Sequence, residues 1–241
     1  MSQQPSLGFH YKVELPWLDT AATLVASGVN VDRFRSELDA RLLRDSDVEL
    51  TGRGRSKAIG VMARMWLEVS PAVEPVRDDA LALLPRVLPE ERHGVHWAMA
   101  LATFPFFRDV AATTGKLARL QGSVDMASIK RRIAESWGER STVSRATGIV
   151  VGTMRDWGAV VGNSREVLPS TPLPVSESIS TLLIQSLLLS EQTPSLPLSD
   201  TMRHPANFPF ALQTNADRLR ETHTLCVDRL GNDTDVVSLD R

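Results

Sequence analysis

The sequence predicts a mainly α-helical bundle with helix-turn-helix or winged-helix-like units and a small C-terminal β-hairpin. Three observations predict this fold class. Apolar residues form 42% of the 241 residues, which is enough to fill a sizeable core. Along most of the chain these residues recur at helical spacing rather than alternating as in a strand. Only residues 222–239 alternate around a turn cluster, which is the pattern of a hairpin.

The first third of the chain predicts three helices. Residues 18–27 are apolar at close spacing and stop at a glycine, and residues 31–43 repeat apolar side chains at helical intervals. Residues 51–55 contain the sequence Thr-Gly-Arg-Gly-Arg, which predicts a flexible basic loop because glycine weakens a helix. Residues 58–66 carry the next apolar stripe, and a Ser-Pro pair after it ends that helix.

The middle of the chain is rich in helix formers but contains a proline. Within residues 91–120, Pro105 removes a backbone hydrogen bond and clashes with the preceding turn. We expect either a kink there or two helices that meet at residues 104–106. Four neighbouring aromatic residues are expected in the core rather than on a ligand platform: Trp97, Phe104, Phe106 and Phe107.

The last third predicts a linker, a helix and a hairpin. Residues 169–174 are rich in proline and serine, which indicates a linker, and residues 176–189 form a strongly apolar helix. The β-prone residues 222–229 and 234–239 flank a Leu-Gly-Asn-Asp turn, and this arrangement predicts the terminal hairpin.

Two domains are expected from this division. Residues 1–168 form an N-terminal helical domain that contains a helix-turn-helix-like segment at residues 125–160. Residues 175–241 form a C-terminal winged-helix-like domain, because a helical unit that ends in a two-stranded hairpin has the outline of a winged helix.

Basic residues are concentrated in the middle of a chain whose net charge is only −2. Residues 114–165 contain nine Lys or Arg and four acids, which gives this stretch a net charge of +5. Residues 166–241 contain five Arg and ten acids, which gives −5. Because polyanion binding depends on local charge, the middle stretch is the expected binding region. A solvated helical face is the alternative interpretation.

The first helix of the helix-turn-helix is predicted at residues 128–137. Ile129 and Ile133 point inward, and the Lys-Arg-Arg run at residues 130–132 lies largely outward. In a helix-turn-helix this first helix lies near the phosphates, while the second enters the major groove.

The second helix follows Gly138, can be capped by Ser141 or Thr142, and runs to about Trp157. Seven residues share its inward side: Val143, Ala146, Thr147, Val150, Val151, Met154 and Trp157. The opposite side carries small residues and two arginines: Ser141, Ser144, Arg145, Gly148, Gly152, Arg155 and Asp156. A glycine in a helix costs roughly 1 kcal/mol relative to alanine, so the two glycines need a reason. They indicate either close approach to a phosphate backbone or close packing against a neighbouring helix.

Ten residues are predicted to contact DNA. Arg145 and Arg155 are expected to contact guanine edges or phosphates. The remaining contacts around the helix-turn-helix are expected at Lys130, Arg131, Arg132, Arg140 and Ser141. A second basic group consists of Arg53, Arg55 and Lys57 at a helix start, where backbone amides can help hold a phosphate. A plain solvated loop is the alternative for that group.

Motifs for catalysis or cofactor binding are missing from the sequence. It contains no P-loop, no dinucleotide-binding glycine motif and no G-x-S-x-G elbow. His93 and His96 could share a helix face but have no third metal ligand at a convincing spacing. A single cysteine excludes an internal disulfide, and neither a signal peptide nor a membrane-spanning apolar run is predicted. We therefore expect a cytoplasmic, non-catalytic protein that uses no cofactor or metal.

Blocks of residues along most of the chain resemble one known family. Residues 97–110, Trp-Ala-Met-Ala-Leu-Ala-Thr-Phe-Pro-Phe-Phe-Arg-Asp-Val, are similar to its central helix. Residues 140–158, which contain Ser-Thr-Val-Ser-Arg and Met-Arg-Asp-Trp-Gly, resemble its "S-T-x-x-K/R … M-L-R-E-x-G" helix. Residues 38–66 are similar to its N-terminal part, and Phe208-Pro-Phe, Leu219 and the hairpin to its C-terminal part. The family is BrxA, the small helical proteins of BREX phage-defence systems.

The resemblance implies an all-helical protein with helix-turn-helix character that binds double-stranded DNA without catalysis. It also implies partners, namely the methyltransferase, ATPase and phosphatase-like components of a BREX complex. Three alternatives stay open. The protein could be an adaptor that docks its basic face on an acidic protein partner, an RNA-binding helical protein, or an unrecognised enzyme such as a nuclease.

Overall fold

Among the residues that the structure describes, helices dominate and the strands form three small sheets. The structure is a computed structural model that describes residues 7–45, 50–191, 193–231 and 234–240. The last two residues of the predicted hairpin turn, 232 and 233, lie outside the described residues. None of the described helices combines the length and hydrophobicity that a bilayer crossing requires. The predicted predominance of helix is confirmed.

Within residues 7–45 and 50–104, the structure has five α-helices before Pro105. They are α1 (Leu15–Ala26), α2 (Val31–Asp45), α3 (Gly52–Met62), α4 (Glu74–Leu83) and α5 (Arg92–Thr103). A π-helical turn, Ala63–Leu67, continues α3. Prolines occupy the first turns of α1 and α4, where a missing N–H leaves no helical hydrogen bond unmade. The predicted stripe at residues 58–66 is buried, including Trp66 at 0% exposure.

The predicted basic loop at residues 51–55 is wrong, because α3 begins at Gly52. Thr51 has an extended backbone, and its hydroxyl oxygen accepts a hydrogen bond from the Gly54 amide at 3.1 Å. This N-cap offsets the low helix propensity of the two glycines. Gly54 also packs closely, since a Cβ there would lie 2.6 Å from the hydroxyl of Tyr11.

Helix α5 and helix α6 (Pro105–Gln121) are separate helices that meet at Phe104. Phe104 has an extended conformation, with φ −122° and ψ 96°, and Pro105 follows as the first residue of α6. A residue before proline avoids the helical region, so the chain turns there. Of the two expected alternatives, two separate helices are therefore confirmed, and a single kinked helix is not. The four predicted core aromatics are buried, none of them exceeding 3% exposure.

Residues 105–169 form a unit, here called the first unit, with a three-stranded sheet. After α6 come β1 (Val124–Asp125), α7 (Met126–Trp137), α8 (Ser141–Asp156), β2 (Val160–Gly162) and β3 (Glu166–Pro169). The strands are antiparallel in the order β1-β3-β2. The β2–β3 hairpin is not part of the sequence prediction, which places a hairpin only at the C-terminus.

The predicted linker at residues 169–174 is tied to the rest of the structure. Strand β4 (Leu173–Pro174) pairs in parallel with β6 (Phe210–Ala211). The Ser170 hydroxyl donates to the carbonyl oxygen of Ala159 at 3.0 Å. The segment therefore does not act as a free spacer.

Residues 177–239 form a second unit that follows the element order of the first unit except for one added strand. It consists of α9 (Glu177–Glu191), β5 (Ser195–Pro197), α10 (Leu198–Met202), α11 (Ala216–Arg220), β7 (Leu225–Leu230) and β8 (Thr234–Leu239), with the added strand β6 between α10 and α11. Its antiparallel sheet has the order β5-β8-β7, which corresponds to β1-β3-β2 in the first unit. The predicted terminal hairpin is confirmed and begins at Leu225.

Helix α9 lies between two hydrophobic clusters. The larger extends from Phe9 to Phe210 and includes Leu183 and Leu187. The smaller consists of Ile184, Leu188, Leu219, Leu225 and Val237. Because both sides of α9 are buried, its sequence lacks a polar face. The domain boundary near residues 168–175 stays a prediction.

Candidate nucleic-acid interface

Helix α7 is fixed at both ends by side-chain hydrogen bonds. The Asp125 carboxylate accepts from the Ser128 amide at 3.1 Å and caps the N-terminus. At the other end, the indole N–H of Trp137 donates to Asp109 of α6 at 2.8 Å. Ile129 and Ile133 are buried, as predicted from their spacing. These contacts set the position of the basic residues on this helix.

The three basic residues of α7, Lys130, Arg131 and Arg132, lie on different sides of the helix. Arg131 and Arg132 are exposed, whereas Lys130 is half-buried. Arg132 forms an ion pair with Glu135 at 3.5 Å, and both side chains are more than half exposed. Arg131 lies opposite the buried Ile129–Ile133 stripe, so Lys130 and Arg132 fall on its two flanks. The three cations therefore do not form one patch on a single face.

The turn between α7 and α8 contains a glycine and an arginine in extended conformations. Gly138 has φ +85° and ψ 150°, a region almost restricted to glycine. Arg140 is the N-cap residue of α8 but makes no capping hydrogen bond, and its guanidinium donates to the Trp137 carbonyl oxygen at 3.1 Å. Ser141 is the first helical residue, so the prediction that Ser141 or Thr142 caps this helix is wrong.

The inward side of α8 matches the prediction from its sequence. All seven predicted inward residues are buried, with exposures of 3% or less: Val143, Ala146, Thr147, Val150, Val151, Met154 and Trp157. The indole N–H of Trp157 donates to the Val13 carbonyl oxygen at 3.0 Å, so the N-terminal segment packs against the end of α8.

The outward side of α8 is open in one half and covered in the other. Ser141 and Arg145 are exposed, and a Cβ built on Gly148 would meet no atom of the described residues within 4 Å. By contrast, a Cβ on Gly152 would lie 3.2 Å from Cε of Lys12, whose ammonium pairs with Asp156 at 2.6 Å. Each of the two interpretations of the glycines, close packing within the protein and an accessible backbone, therefore fits one glycine. Gly152 packs against the chain itself, whereas Gly148 leaves the backbone accessible.

Arg155 holds the β2–β3 turn rather than pointing into solvent. Its guanidinium donates to the Asn163 carbonyl oxygen at 2.6 Å. The Asn163 side chain in turn accepts from the amides of Arg165 and Glu166, at 2.8 Å and 3.1 Å. These hydrogen bonds place the exposed Arg165 at the tip of the hairpin. Arg165 is absent from the predicted contacts, although a Gly-Asn-Ser turn between two valine-containing segments is a hairpin signal.

The second predicted basic group does not act as a unit. The Arg55 guanidinium donates to Asp39 at 2.9 Å and to the Leu50 carbonyl oxygen at 2.9 Å, so its hydrogen bonds are used internally. Arg53 and Lys57 are exposed. Lys57 lies with Arg145 on the wall of a single groove, so the structure brings one residue from each predicted group together.

The two histidines of α5 take part in packing and hydrogen bonding. His96 is fully buried, and its Nε2 lies 2.9 Å from Asp19, which also pairs with Arg92 at 3.1 Å. Burial lowers the pKa of His96, although the Asp19 carboxylate opposes this shift. Burial would raise the pKa of Asp19, but His96 and Arg92 together lower it. His93 stacks on Phe210 at 5.3 Å. Among the described residues, no group of His, Cys, Asp or Glu is arranged to hold a metal ion.

Comparisons with known proteins add no relative. No protein-family model matches the chain, and neither the curated proteins nor the solved structures include a significant match. The resemblance stated above therefore rests on the residue patterns quoted for it.

Proposed function

We propose that this protein is a non-catalytic, cytoplasmic, double-stranded DNA-binding protein whose first unit is a winged helix. The observation that carries the proposal is the order of elements in residues 105–169. It runs helix, strand, helix, helix, and two strands, and the first strand pairs with the last. In such a unit the second helix of the helix-turn-helix enters the major groove and the hairpin forms a wing.

Helix α8 has the surface that a recognition helix needs. Arg145 and Ser141 are exposed in its first two turns, and Gly148 leaves room for close approach of a duplex. Arg140 lies at the helix start, where phosphates are favoured. We assign Arg145 to base edges or phosphates, and Arg140, Arg131 and Arg165 to phosphates.

The second unit differs in charge from the first. Residues 177–239 contain four arginines and eight acids, and their net charge of −4 opposes contact with a polyanion. Its α11 arginines are also engaged with acids, since Arg220 pairs with Asp217 at 2.8 Å and with Asp235 at 2.9 Å. We assign this unit to contacts with proteins rather than with DNA.

The resemblance to the BrxA family extends the proposal to a biological setting. We propose that the protein is an accessory subunit of a BREX-type phage-defence system. Its partners would be the methyltransferase, ATPase and phosphatase-like components. Stable co-purification with one of these components, in the absence of any nucleic-acid binding, would instead favour the adaptor alternative.

A salt titration of duplex binding tests DNA binding directly. Fluorescence anisotropy of a short labelled duplex is measured between about 50 and 200 mM salt, a range over which phosphate-dominated binding weakens steeply. The Arg145→Ala variant is expected to flatten the logarithmic salt slope by about 0.9, and the Arg131/Arg140/Arg145 triple alanine variant by about 2.7. An unchanged slope in both variants would remove these residues from the interface.

Two matched controls accompany the titration. Arg86→Ala removes an exposed arginine outside the first unit, so its salt slope is expected to equal that of the wild type. An RNA duplex of the same sequence distinguishes the RNA alternative, since tighter binding to RNA would overturn the proposal. Cleavage of phage DNA in the presence of a divalent metal would contradict the absence of catalysis.

A further inference from the structure

A groove of about 590 Å³ runs along one flank of α8. Its walls are the N-terminal segment from Leu7 to Trp17, the residues around the start of α3, and the side of α8 that includes Arg145 and Ile149. Sites for small organic molecules have volumes of about 300–1,000 Å³, so the groove is large enough for one. Gly148 does not line the groove, although the neighbouring Ile149 does.

The lining of the groove is largely apolar and aromatic. Leu7, Tyr11, Leu50 and Ile149 are only partly buried and pack with one side against the main core. Trp17 contributes the edge of a side chain that is 6% exposed. Such a surface can bury the apolar body of a ligand, and Tyr11 also offers a hydroxyl.

The charges that line the groove do not cancel. Three cations and two acids line the groove, which gives it a formal net charge of +1 with histidine counted as neutral: Lys12, Lys57, Arg145, Glu14 and Asp156. Lys12 and Asp156 form an ion pair at 2.6 Å. Lys57 and Arg145 are both exposed, and neither forms an ion pair with a described residue, so both can meet an anion in the groove.

We propose that this groove binds an amphipathic organic anion. The apolar body would lie over Tyr11, Leu50 and Ile149, and a carboxylate or phosphate group would be held by Lys57 and Arg145. The guanidinium of Arg145 suits such a group because it can donate two parallel hydrogen bonds. The ammonium of Lys57 adds a point charge from the facing wall.

A consequence of this site rests on the proposed function. Arg145 belongs both to the groove and to the surface assigned to DNA, so a bound anion occupies a side chain that the duplex needs. The two ligands then weaken each other's binding by the same factor.

The site is tested without DNA, using 2-naphthoate as the probe and isothermal titration calorimetry as the measurement. We expect one molecule bound per chain, and binding of the uncharged analogue 2-naphthalenemethanol at least about tenfold weaker. Lys57→Met and Arg145→Met are each expected to weaken 2-naphthoate binding by about tenfold or more. The matched control Lys116→Met, an exposed lysine of α6 outside the groove, is expected to bind like the wild type.

Three results would overturn the site. These are absence of stoichiometric 2-naphthoate binding, equal binding of the uncharged analogue, and wild-type affinity in both groove variants. Far-UV circular dichroism of each variant confirms folding, which the exposure of both side chains leads us to expect.

A second experiment, duplex binding in the presence of 2-naphthoate, tests the groove and the proposed function independently. A 2-naphthoate concentration that saturates the wild type is expected to weaken its duplex binding, and the same concentration is expected to have a smaller effect on Lys57→Met. Binding of 2-naphthoate with no effect on duplex affinity would retain the site but reject the coupling. A chain that binds 2-naphthoate but no duplex would reject the proposed function alone.

Discussion

The two glycines on the outer side of α8 differ in what surrounds them, although their sequence positions are equivalent on a helical wheel. Gly148 faces open space, whereas Gly152 lies under the aliphatic part of Lys12. A helical wheel places both on the polar side because it contains no information about the N-terminal segment. The salt bridge between Lys12 and Asp156 decides which glycine is covered.

Substitution of these glycines tests that difference. Gly148→Ala is expected to raise the free energy of unfolding by about 1 kcal/mol, because alanine is the better helix former and no atom obstructs its Cβ. Gly152→Ala is expected to gain less, since Lys12 must shift by a few tenths of an ångström. Urea denaturation followed by circular dichroism gives both values. A loss of stability in Gly148→Ala would show that this surface is covered.

Buried histidines make stability depend on pH. Burial lowers the folded-state pKa of His96 below its ordinary value of 6.5, and the pKa values of His93 and His204 are shifted in the same direction. The unfolded chain therefore binds more protons than the folded one as the pH falls below about 6.5, which destabilises the fold. Above that pH all three are neutral in both states, and this contribution is constant.

The free energy of unfolding is thus expected to decline between pH 7 and pH 5.5. Each proton taken up only by the unfolded state contributes a slope of at most about 1.4 kcal/mol per pH unit. In His96→Gln the decline is expected to be shallower, with His93 and His204 still contributing. Urea titrations at several pH values measure the slope, and identical slopes in variant and wild type would exclude His96 as a contributor.

At the scale of elements, the spacing of apolar residues predicted the buried faces of α7 and α8. It did not predict how the turn between these two helices is built. The buried residues of both helices follow from their spacing, and Gly138 was expected to break the first helix. The predicted cap at Ser141 failed because Arg140 occupies the N-cap position, with its guanidinium bonded back to Trp137. The choice of cap depends on where the preceding helix ends, which spacing alone does not fix.

The junction gives an element-scale prediction. Gly138 has φ +85° and ψ 150°, so Gly138→Ala is expected to lower the free energy of unfolding by about 1–3 kcal/mol. Gly148→Ala, the same substitution inside a helix, serves as the matched control with the opposite sign. Thermal unfolding compares the two, and a neutral Gly138→Ala would mean that the turn adopts another conformation.

The two hairpins also differ in how well local sequence patterns predict them. The sequence predicts the C-terminal hairpin because residues 222–229 and 234–239 are β-prone and flank a turn cluster. The strands of the β2–β3 hairpin are only three and four residues long, so its Gly-Asn-Ser turn is a hairpin signal but the strands are too short to show alternation. This hairpin exists because β3 also pairs with β1, which lies about forty residues earlier in the chain.

At the scale of the whole molecule, α9 joins the second unit to the main core. Leu187 belongs to the large cluster and Leu188 to the small one, with exposures of 0% and 1%. Adjacent residues of one helix therefore stabilise different parts of the protein. If α9 unfolds as one element, both clusters unfold with it.

Leu187→Ala and Leu188→Ala test this coupling. Each is expected to lower the free energy of unfolding by about 2–5 kcal/mol, the usual result of deleting a buried leucine side chain. Both are expected to shift one common transition, seen alike by tryptophan fluorescence and by circular dichroism. A separate early transition in Leu188→Ala would show that the second unit unfolds independently.

The sequence by itself determined the helical class, the inward faces of α7 and α8, the aromatic core around Pro105 and the terminal hairpin. These features depend on periodicity and on the chemistry of proline and glycine, which act within a few residues of the chain. The tertiary structure decided that Arg55 and Arg155 are bonded internally, that the two units share one order of elements apart from β6, and that Lys57 and Arg145 line one groove. These features depend on which distant segments of the chain pack together. Local sequence patterns, which extend over only a few residues, do not specify that packing.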